Sequence, residues 1–348
     1  MKRLEIFDSI LRDGAQSEGI SFSVQDKLKI VRLLDDFGVA YIEAGNPSSN
    51  PKDIEFFQKA SLLKLKTAKL CAFGSTRRKN MRAEEDENVL ALLRANTPSV
   101  AVFGKAWDLH ATEVLKVSLE ENLSMVRDTV SFLKSSGREV IFDAEHFFDG
   151  YKENPAYALE VLKAAAESGA DLLCLCDTNG GAFPEEVYEI TKLVCENFPS
   201  LRIGIHCHND TGCAVANSMM AVSAGAVHVQ GTFIGFGERC GNADLSVLIP
   251  NLQLKKGYRC IEGDMSTLYD TAAKVADISN TTIAKNKPYV GESAFAHKGG
   301  MHIDGVTKVS RSFEHIDPEL VGNRRRFLMS EVSGRTTVLA KIRDIAPH

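Results

Sequence analysis

The 348 residues include 41 basic and 46 acidic side chains, giving a formal net charge of −5, so no basic excess indicates binding to nucleic acid or an anionic membrane surface. Hydrophobic residues make up 44% and charged residues 25%, which excludes global disorder. No apolar run reaches the roughly 18 residues that cross a bilayer, and the first eight residues lack the apolar segment of a secretion signal. With eight cysteines and no Cys-x-x-Cys pair, we expect a cytoplasmic protein without disulfides or a structural zinc site.

Strand-like and helix-like segments alternate over the first 255 residues. Short apolar, β-rich runs predict eight strands, over 4–7, 39–43, 70–73, 99–103, 140–143, 172–176, 203–206 and 227–232. Helical patterns follow them over 24–37, 50–60, 83–94, 119–136, 155–168, 184–197, 214–224 and 245–254. Eight such units predict an α/β fold, a TIM (β/α)8 barrel over residues 1–258. An open doubly wound sheet is the competitor, but it usually has fewer strands and a Gly-rich first turn, which this sequence lacks.

The predicted helix ends carry the expected residues. Ser23 and Asp26 form a loose capping box before the first helix, which satisfies free backbone N–H groups there. Four glycines follow predicted helices, where a left-handed residue is favoured; they are Gly38, Gly137, Gly169 and Gly225.

The pattern changes after Gly257. A long helix is predicted over 264–286, followed by a polar stretch rich in Gly and His over 290–307. A basic cluster at 324–326 precedes a small predicted helix at 335–344. We therefore expect residues 259–348 to form a mostly helical C-terminal subdomain.

Polar and charged residues follow six of the eight predicted strands. In a TIM barrel the active site lies at the carboxyl ends of the strands, so these residues should share one rim. They are Arg12, Asp13, Gln16, Glu43, Asp143, Glu145, His146, Asp177, Thr178, His206, His208, Asn209, Asp210, Glu238, Arg239 and Asn242.

The pair His206 and His208 is the most specific element of this rim. Residues i and i+2 of a strand point to one face, so both imidazoles can converge on one metal ion. Asp13 on the neighbouring first strand and the amide oxygen of Asn242 would complete a mixed nitrogen and oxygen site. Such a site suits Mn²⁺, Mg²⁺, Co²⁺ or Zn²⁺. The alternative is two interior histidines satisfied by hydrogen bonds.

Three further rim residues have two interpretations each. Arg12 could stabilise a developing enolate or alkoxide oxygen, or form an ion pair with Glu43 or Asp8. Glu145 could act as a base or be a salt-bridged rim carboxylate. Thr178 could bind a substrate carboxylate or serve only in packing.

Two loops also attract attention. The Gly-rich segment 232–242 could dock an anion on backbone N–H groups, and its Cys240 could be a nucleophile, although no base is evident nearby. Two histidines, His297 and His302, lie in a Gly-rich loop of the C-terminal region, and such loops bury little. We expect this loop to be functional, reaching its own barrel or that of a second subunit.

Four motifs together carry a resemblance to a known family. They are Leu-Arg-Asp-Gly-Ala-Gln at 11–16, His-Cys-His-Asn-Asp at 206–210, Gly-Glu-Arg-Cys-Gly-Asn at 237–242 and His-x-x-x-x-His-x-Asp-Gly at 297–305. Because the four motifs occur in this order, the chain resembles the 2-isopropylmalate, homocitrate and citramalate synthases. These are metal-dependent acyltransferases of the TIM-barrel superfamily that also contains hydroxymethylglutaryl-CoA lyase. The segments 74–78, 104–110 and 315–323 are most similar to the citramalate synthase branch. The cysteine-bearing loop of the lyases is replaced here by 238–242.

The resemblance implies a set of roles. Asp13, His206 and His208 would hold the divalent metal, with Asn242 as a weaker ligand, and Arg12 would stabilise the enolate. Glu145 and His302 would serve the proton transfers, with His302 delivered by the partner subunit of a homodimer. Thr178 and Gln16 would contact the 2-oxo acid.

The implied reaction condenses acetyl-CoA with a 2-oxo acid, pyruvate in the first place, and then hydrolyses the thioester. The alternatives are a 2-isopropylmalate or homocitrate synthase and, after these, a hydroxyacyl-CoA lyase or aldolase. The family's C-terminal regulatory domain has no counterpart in the sequence, which is either a truncated chain or a short form; in both cases we expect no feedback inhibition.

Overall fold

A computed structural model describes residues 1–329. The chain divides into two compact units, Met1–Gly263 and a second that begins at Asp264. Among the described residues, no helix is both long enough and apolar enough to cross a membrane. All eight cysteines are free.

The first unit is a closed barrel of eight parallel strands in sequential order, which confirms the predicted TIM barrel. The strands are β1 Glu5–Asp8, β2 Tyr41–Gly45, β3 Lys69–Ser75, β4 Ser99–Lys105, β5 Glu139–Glu145, β6 Leu172–Asp177, β7 Arg202–Cys207 and β8 His228–Gly231. The helices are α1 Val24–Phe37, α2 Pro51–Ala60, α3 Glu87–Arg94, α4 Leu119–Ser135, α5 Phe147–Glu153, α6 Pro155–Glu167, α7 Pro184–Asn197, α8 Ala214–Ala224 and α9 Leu245–Pro250.

The barrel is held by side chains that are buried on both faces of the strands. β6 is buried at all six positions, as expected for a parallel strand covered by helices outside and filled by side chains inside. One group of packed core residues combines aromatic, aliphatic and thiol groups from six strands; it comprises Phe7, Tyr41, Cys71, Ala101, Ile141, Leu172, Cys174 and Cys176. The cylinder is therefore a filled core rather than a pore.

The helix ends follow the sequence signals. Ser23 and Asp26 form the predicted capping box, and each of the four predicted glycines has a positive φ. Gly38 has φ of 94°, and a Cβ there would collide with the backbone of Gly263, so only glycine fits at the end of α1.

An ionic cluster occupies the amino ends of the strands. Arg202 on β7 bonds both carboxylate oxygens of Glu5 at 2.8 Å and the carboxylate of Glu139 at 2.8 Å. Tyr41 and Lys69 donate to the same Glu139 carboxylate, each at 2.9 Å. We call Arg202, Glu5, Glu139, Tyr41 and Lys69 the amino-end cluster. It joins β1, β2, β3, β5 and β7 at the end of the barrel opposite the predicted rim.

Three details of the first unit differ from the prediction. Helix α5 was not predicted; it begins after His146, whose φ of 57° turns the chain at the end of β5. The predicted helix at 83–94 is split by Asp86, which caps α3 through the N–H of Asn88. The predicted helix at 245–254 ends its α-helical part at Pro250.

The second unit contains α10 Leu268–Ile278, α11 Gly300–Lys308 and a small sheet of β9 Ala296–His297 with β10 Arg326–Phe327. The long helix predicted over 264–286 is wrong beyond Ile278, because Asn280 adopts a left-handed φ of 53° and ends it. The helix predicted at 335–344 lies outside the described residues. Glu314 accepts hydrogen bonds from the Arg325 guanidinium and lies 3.1 Å from His297 Nε2, so this unit has a buried ionic contact of its own.

Candidate active site

Asp13, His206 and His208 meet at the carboxyl end of the barrel. Asp13 Oδ2 lies 3.4 Å from His206 Nε2 and 3.6 Å from His208 Nε2. One donor atom from each side chain falls within 4.8 Å of the others, and all three residues are buried. We call these three residues the Asp13 cluster. The strand pattern of His206 and His208 and the turn after β1 therefore bring together the three side chains predicted to bind a metal.

The hydrogen bonds behind His206 select its tautomer. Gln230 on β8 donates its amide to Asp143 Oδ1 at 2.9 Å, so the Gln230 carbonyl oxygen faces His206 Nδ1 at 3.1 Å. That oxygen can only accept, so His206 carries its proton on Nδ1. Nε2 of His206 then faces Asp13. Burial opposes protonation of His206, but its contact with Asp13 outweighs burial and raises the pKa of His206, so a metal ion that binds Nε2 displaces a proton there.

Buried polar atoms in the same place have no hydrogen-bond partner within residues 1–329. They are Asp13 Oδ1, His208 Nδ1 and Asn242 Oδ1. Asn242 donates through its amide nitrogen to Asp13 Oδ2 at 3.0 Å, which leaves its oxygen as an acceptor. Unpaired buried oxygens beside two imidazoles are costly unless a cation compensates them, so the donor set fits a divalent metal.

The charges within the cluster reinforce this interpretation. Burial opposes ionisation of Asp13, but Arg12 and His206 outweigh it and hold the pKa of the Asp13 carboxyl well below its usual range. Burial, assisted by His206, lowers the pKa of His208 to about 4. Asp13 is thus a carboxylate and His208 a neutral imidazole at pH 7, the protonation states that bind metal ions.

Arg12 is held by two contacts at the edge of the cavity. Its Nε donates to Glu43 Oε2 at 2.6 Å, and its guanidinium carbon lies 3.8 Å from the centre of the Phe73 ring. Asp8, the other expected partner, instead accepts from the backbone N–H groups of Ile10 and Phe233. The Glu43 pair fixes Arg12 while its Nη1 stays 3.5 Å from Asp13, so the ion pair positions Arg12 at the site.

Glu145 and Thr178 lie on neighbouring strand ends. Lys105, at the end of β4, forms an ion pair with Glu145 Oε2, as the rim-carboxylate interpretation expected. Thr178 Oγ1 accepts a hydrogen bond from the His146 N–H at 2.9 Å. Sequence reasoning missed Lys105 and Gln230, although Lys105 lies two residues after the predicted strand 99–103 and Gln230 is a polar residue inside the predicted strand 227–232.

A cavity of about 290 Å³ opens over the Asp13 cluster. Besides these three residues, its lining comprises Arg12, Gln16, Phe73, Phe103, Asp143, Glu145, Cys176, Thr178, Gln230 and Glu238. The predicted site residues of the barrel thus surround one cavity. Asn242 does not line it but is hydrogen-bonded to Asp13, which does.

Other rim residues serve structure instead. Asp177 accepts from the N–H groups of Gly181 and Ala182, and Asn209 from that of Ala214. Arg239 bonds Asp210 and the Thr178 carbonyl oxygen and so ties three loops together.

Cys240 and His302 complete the predicted set. Cys240 is exposed, and no base contacts it in the described part of the chain. The predicted Gly-rich loop is wrong in part, because Gly300–Lys308 is helical and His297 is buried. His302 is exposed on α11 of the second unit and stacks on Phe313, with ring centres 4.2 Å apart.

The sequence matches known protein families over most of its length. A family model described as HMGL-like matches residues 3–281. The chain belongs to the HMGL-like family. A second model, described as homocitrate synthase post-HMGL domain-like, matches residues 289–346, so the two matches together cover both units.

Relatives with assigned names refine this family membership. The (R)-citramalate synthase of Aquifex aeolicus is 56% identical over 99% of this chain and 65% of its own length. A probable 2-isopropylmalate synthase of Methanopyrus kandleri is 37% identical over 99% of this chain and 66% of its own length. The chain therefore spans just under two thirds of these relatives.

A solved structure supports the fold. Bacillus subtilis HMG-CoA lyase superposes with a TM-score of 0.69 at 20% identity, covering 81% of this chain and 96% of the lyase. At that identity the match establishes the shared barrel only.

Proposed function

We propose that this protein condenses acetyl-CoA with pyruvate and hydrolyses the thioester, giving citramalate and free coenzyme A. The observation that carries the proposal is the Asp13 cluster beneath one cavity, in a chain that is 56% identical to a protein named (R)-citramalate synthase. Asp13, His206 and His208 would hold a divalent cation, Mn²⁺, Mg²⁺, Co²⁺ or Zn²⁺, with Asn242 beside it. When bound, such a cation polarises the carbonyl group of a 2-oxo acid.

The cavity lining favours a singly charged 2-oxo acid. Phe73 and Phe103 stack with ring centres 5.2 Å apart and form its apolar wall. Four carboxylates line the cavity, Asp13, Asp143, Glu145 and Glu238, whereas its one arginine is already paired with Glu43. A second substrate carboxylate, as in 2-oxoglutarate, would be repelled, so the lining supports pyruvate over the homocitrate reaction.

Thr178 and Gln16 bind the substrate carboxylate in this proposal. The Thr178 oxygen already accepts the His146 N–H, so its own proton can be donated into the cavity. Gln16 lines the same cavity and offers an amide donor. Together they orient the carbonyl carbon of the 2-oxo acid toward the acetyl group, since positioning alone removes much of the barrier.

Glu145 accepts the proton from acetyl-CoA in this proposal, and Arg12 stabilises the negative charge that results. Lys105 contacts Glu145 Oε2, which leaves Oε1 to take a methyl proton from acetyl-CoA as general base. The Arg12 guanidinium, fixed by Glu43 and Phe73, stabilises the negative charge that develops on oxygen. Because Arg12 is positioned before substrate arrives, little reorganisation is needed in the transition state.

The second unit completes the site in this proposal. We place His302 in the barrel of a second copy of the chain, where its imidazole would move a proton during condensation and hydrolysis. The test mixes two inactive variants, Asp13→Ala and His302→Ala. If His302 acts in the partner barrel, subunit exchange restores about a quarter of the wild-type activity, because half of the dimers are mixed and each has one intact site. No recovery would place His302 in its own barrel.

The reaction itself is tested by substrate competition. Acetyl-CoA is mixed with pyruvate, 2-oxobutyrate, 2-oxoisovalerate or 2-oxoglutarate and Mn²⁺, and released thiol is followed while the product is identified by chiral chromatography. We expect the highest kcat/KM with pyruvate. Preference for 2-oxoisovalerate would instead indicate a 2-isopropylmalate synthase, and thiol release with none of the four acids would overturn the proposal.

A further inference from the structure

A second group of metal-binding side chains lies inside the barrel. Cys174 and Cys176 occupy alternate positions on β6, so both side chains point inward, and Asp143 on β5 is the register partner of Cys174. One donor atom from each falls within 4.8 Å of the others. All three residues are at most 5% exposed. We call these residues the thiol cluster.

We propose that the thiol cluster is a binding site for a thiophilic divalent cation such as Zn²⁺, distinct from the Asp13 cluster. Two sulfur ligands and one carboxylate form a soft donor set, whereas the two imidazoles and one carboxylate of the Asp13 cluster also accept harder ions. When the cation binds, both S–H bonds ionise, two metal–sulfur bonds form and two protons leave to solvent.

The resting state of the cluster agrees with this exchange. Contact with Cys174 lowers the pKa of Cys176, but burial outweighs it and raises that pKa to about 11. Burial likewise raises the pKa of the Cys174 thiol well above its usual value. The two thiols are therefore neutral at pH 7. Uncharged thiols can be buried without a counter-ion, and they ionise only when a cation displaces their protons.

The cluster has an entry path and a link to His206. Cys176 lines the cavity over the Asp13 cluster, so a small cation can reach it from there. Asp143 Oδ1 accepts the Gln230 amide that fixes His206. A cation on Asp143 competes for that oxygen and so weakens the support of His206. We therefore expect the site to be inhibitory; this consequence rests on the proposed function, whereas the binding does not.

Cys71 provides a matched control. It is fully buried and belongs to the same group of packed core residues as Cys174 and Cys176. Among the described residues it belongs to no group of three donors. If the interior thiols only fill space, replacing Cys71 and replacing Cys176 will affect cation binding equally.

The experiment uses Cd²⁺ as the probe and the 348-residue protein saturated with Mg²⁺. All variants carry Cys240→Ser to remove the exposed thiol. The ultraviolet charge-transfer band of a cadmium thiolate, its stoichiometry and the protons released in weak buffer are recorded. We expect the thiolate band to saturate at one cadmium thiolate site per chain, with about two protons released as that site fills. Cys174→Ser and Cys176→Ser should lower the affinity by more than about 100-fold, the upper end for losing an outer-sphere partner.

The controls separate this site from the Asp13 cluster. Cys71→Ser and Asp13→Ala should retain the thiolate band at wild-type affinity. Loss of the band in Asp13→Ala, its persistence in both Cys174→Ser and Cys176→Ser, or the absence of a band in wild type would each overturn the proposal. Alanine variants at the two cysteines serve if a serine variant fails to fold. Since the band does not depend on turnover, a failed acyltransferase assay leaves this test intact.

Discussion

Gln230 is the residue whose replacement tests most directly how the Asp13 cluster binds a metal. Its carbonyl oxygen accepts from His206 Nδ1 at 3.1 Å, and its amide donates to Asp143 at 2.9 Å. Gln230→Leu removes both contacts in a place that is 1% exposed. In this variant no acceptor stabilises the proton on His206 Nδ1. The tautomer that leaves Nε2 available to a metal ion is therefore no longer favoured.

The expected loss in metal affinity follows from similar outer hydrogen bonds. Removing such a partner typically lowers metal affinity about 10–100-fold, which corresponds to about 1.4–2.7 kcal/mol. The free energy of unfolding should also fall by about 1–3 kcal/mol, because a buried donor and acceptor lose their partners. Binding is measured by titration calorimetry with Mn²⁺, and stability by urea denaturation.

A matched control separates the two effects. Gln253 also uses its side-chain oxygen as an acceptor, from the Cys260 N–H at 3.0 Å, but lies outside the strands. Gln253→Leu should lower stability without changing Mn²⁺ affinity. Gln230→Glu keeps an acceptor for His206 and should fall between wild type and Gln230→Leu. Mn²⁺ affinity of Gln230→Leu within twofold of wild type would refute the argument that Gln230 sets the tautomer.

Three further outcomes are expected. Arg202→Met should lower the free energy of unfolding by about 2 kcal/mol, because the carboxylates of the amino-end cluster lose their shared cation in a partly solvated place; Arg127→Met, which breaks an exposed pair, should change it by less than about 0.5 kcal/mol. Gly38→Ala should destabilise more than Gly19→Ala in thermal melts, since both have positive φ but only the first would collide with backbone; equal losses would contradict the steric argument. Adding Mn²⁺ at 100 times its dissociation constant should stabilise the wild type by about 2.7 kcal/mol and leave Asp13→Ala unchanged in urea titrations.

The barrel could be predicted because the same sequence pattern, a strand followed by a helix, occurs eight times. Each strand is an apolar run bounded by a helix with recognisable ends, and eight units of this kind leave few architectures. The position of the site follows from the same repetition, since Asp13 lies in the turn after β1, His206 and His208 lie at the end of β7, and the carboxyl ends of parallel strands share a rim. No distance had to be known to bring these three side chains together.

The remaining details depend on contacts that local sequence does not encode. α10 ends at Ile278 because Asn280 takes the left-handed conformation that glycine more often supplies, whereas the prediction carried the helix on to the Lys-Asn-Lys-Pro segment at 285–288. Helix α5 begins only after the left-handed turn at His146. Gln230 and Lys105 acquire their roles from partners on other strands, which a single sequence cannot pair.

The amino-end cluster lies at the opposite end of the barrel from the cavity. The side chains of this cluster, which stabilise the fold, are therefore separate from those that line the proposed active site. Free-energy changes at such separated places add independently. Substitutions that stabilise the amino end of the barrel can therefore be made first. The stability they add then allows destabilising substitutions at the carboxyl end that alter the preference for the 2-oxo acid.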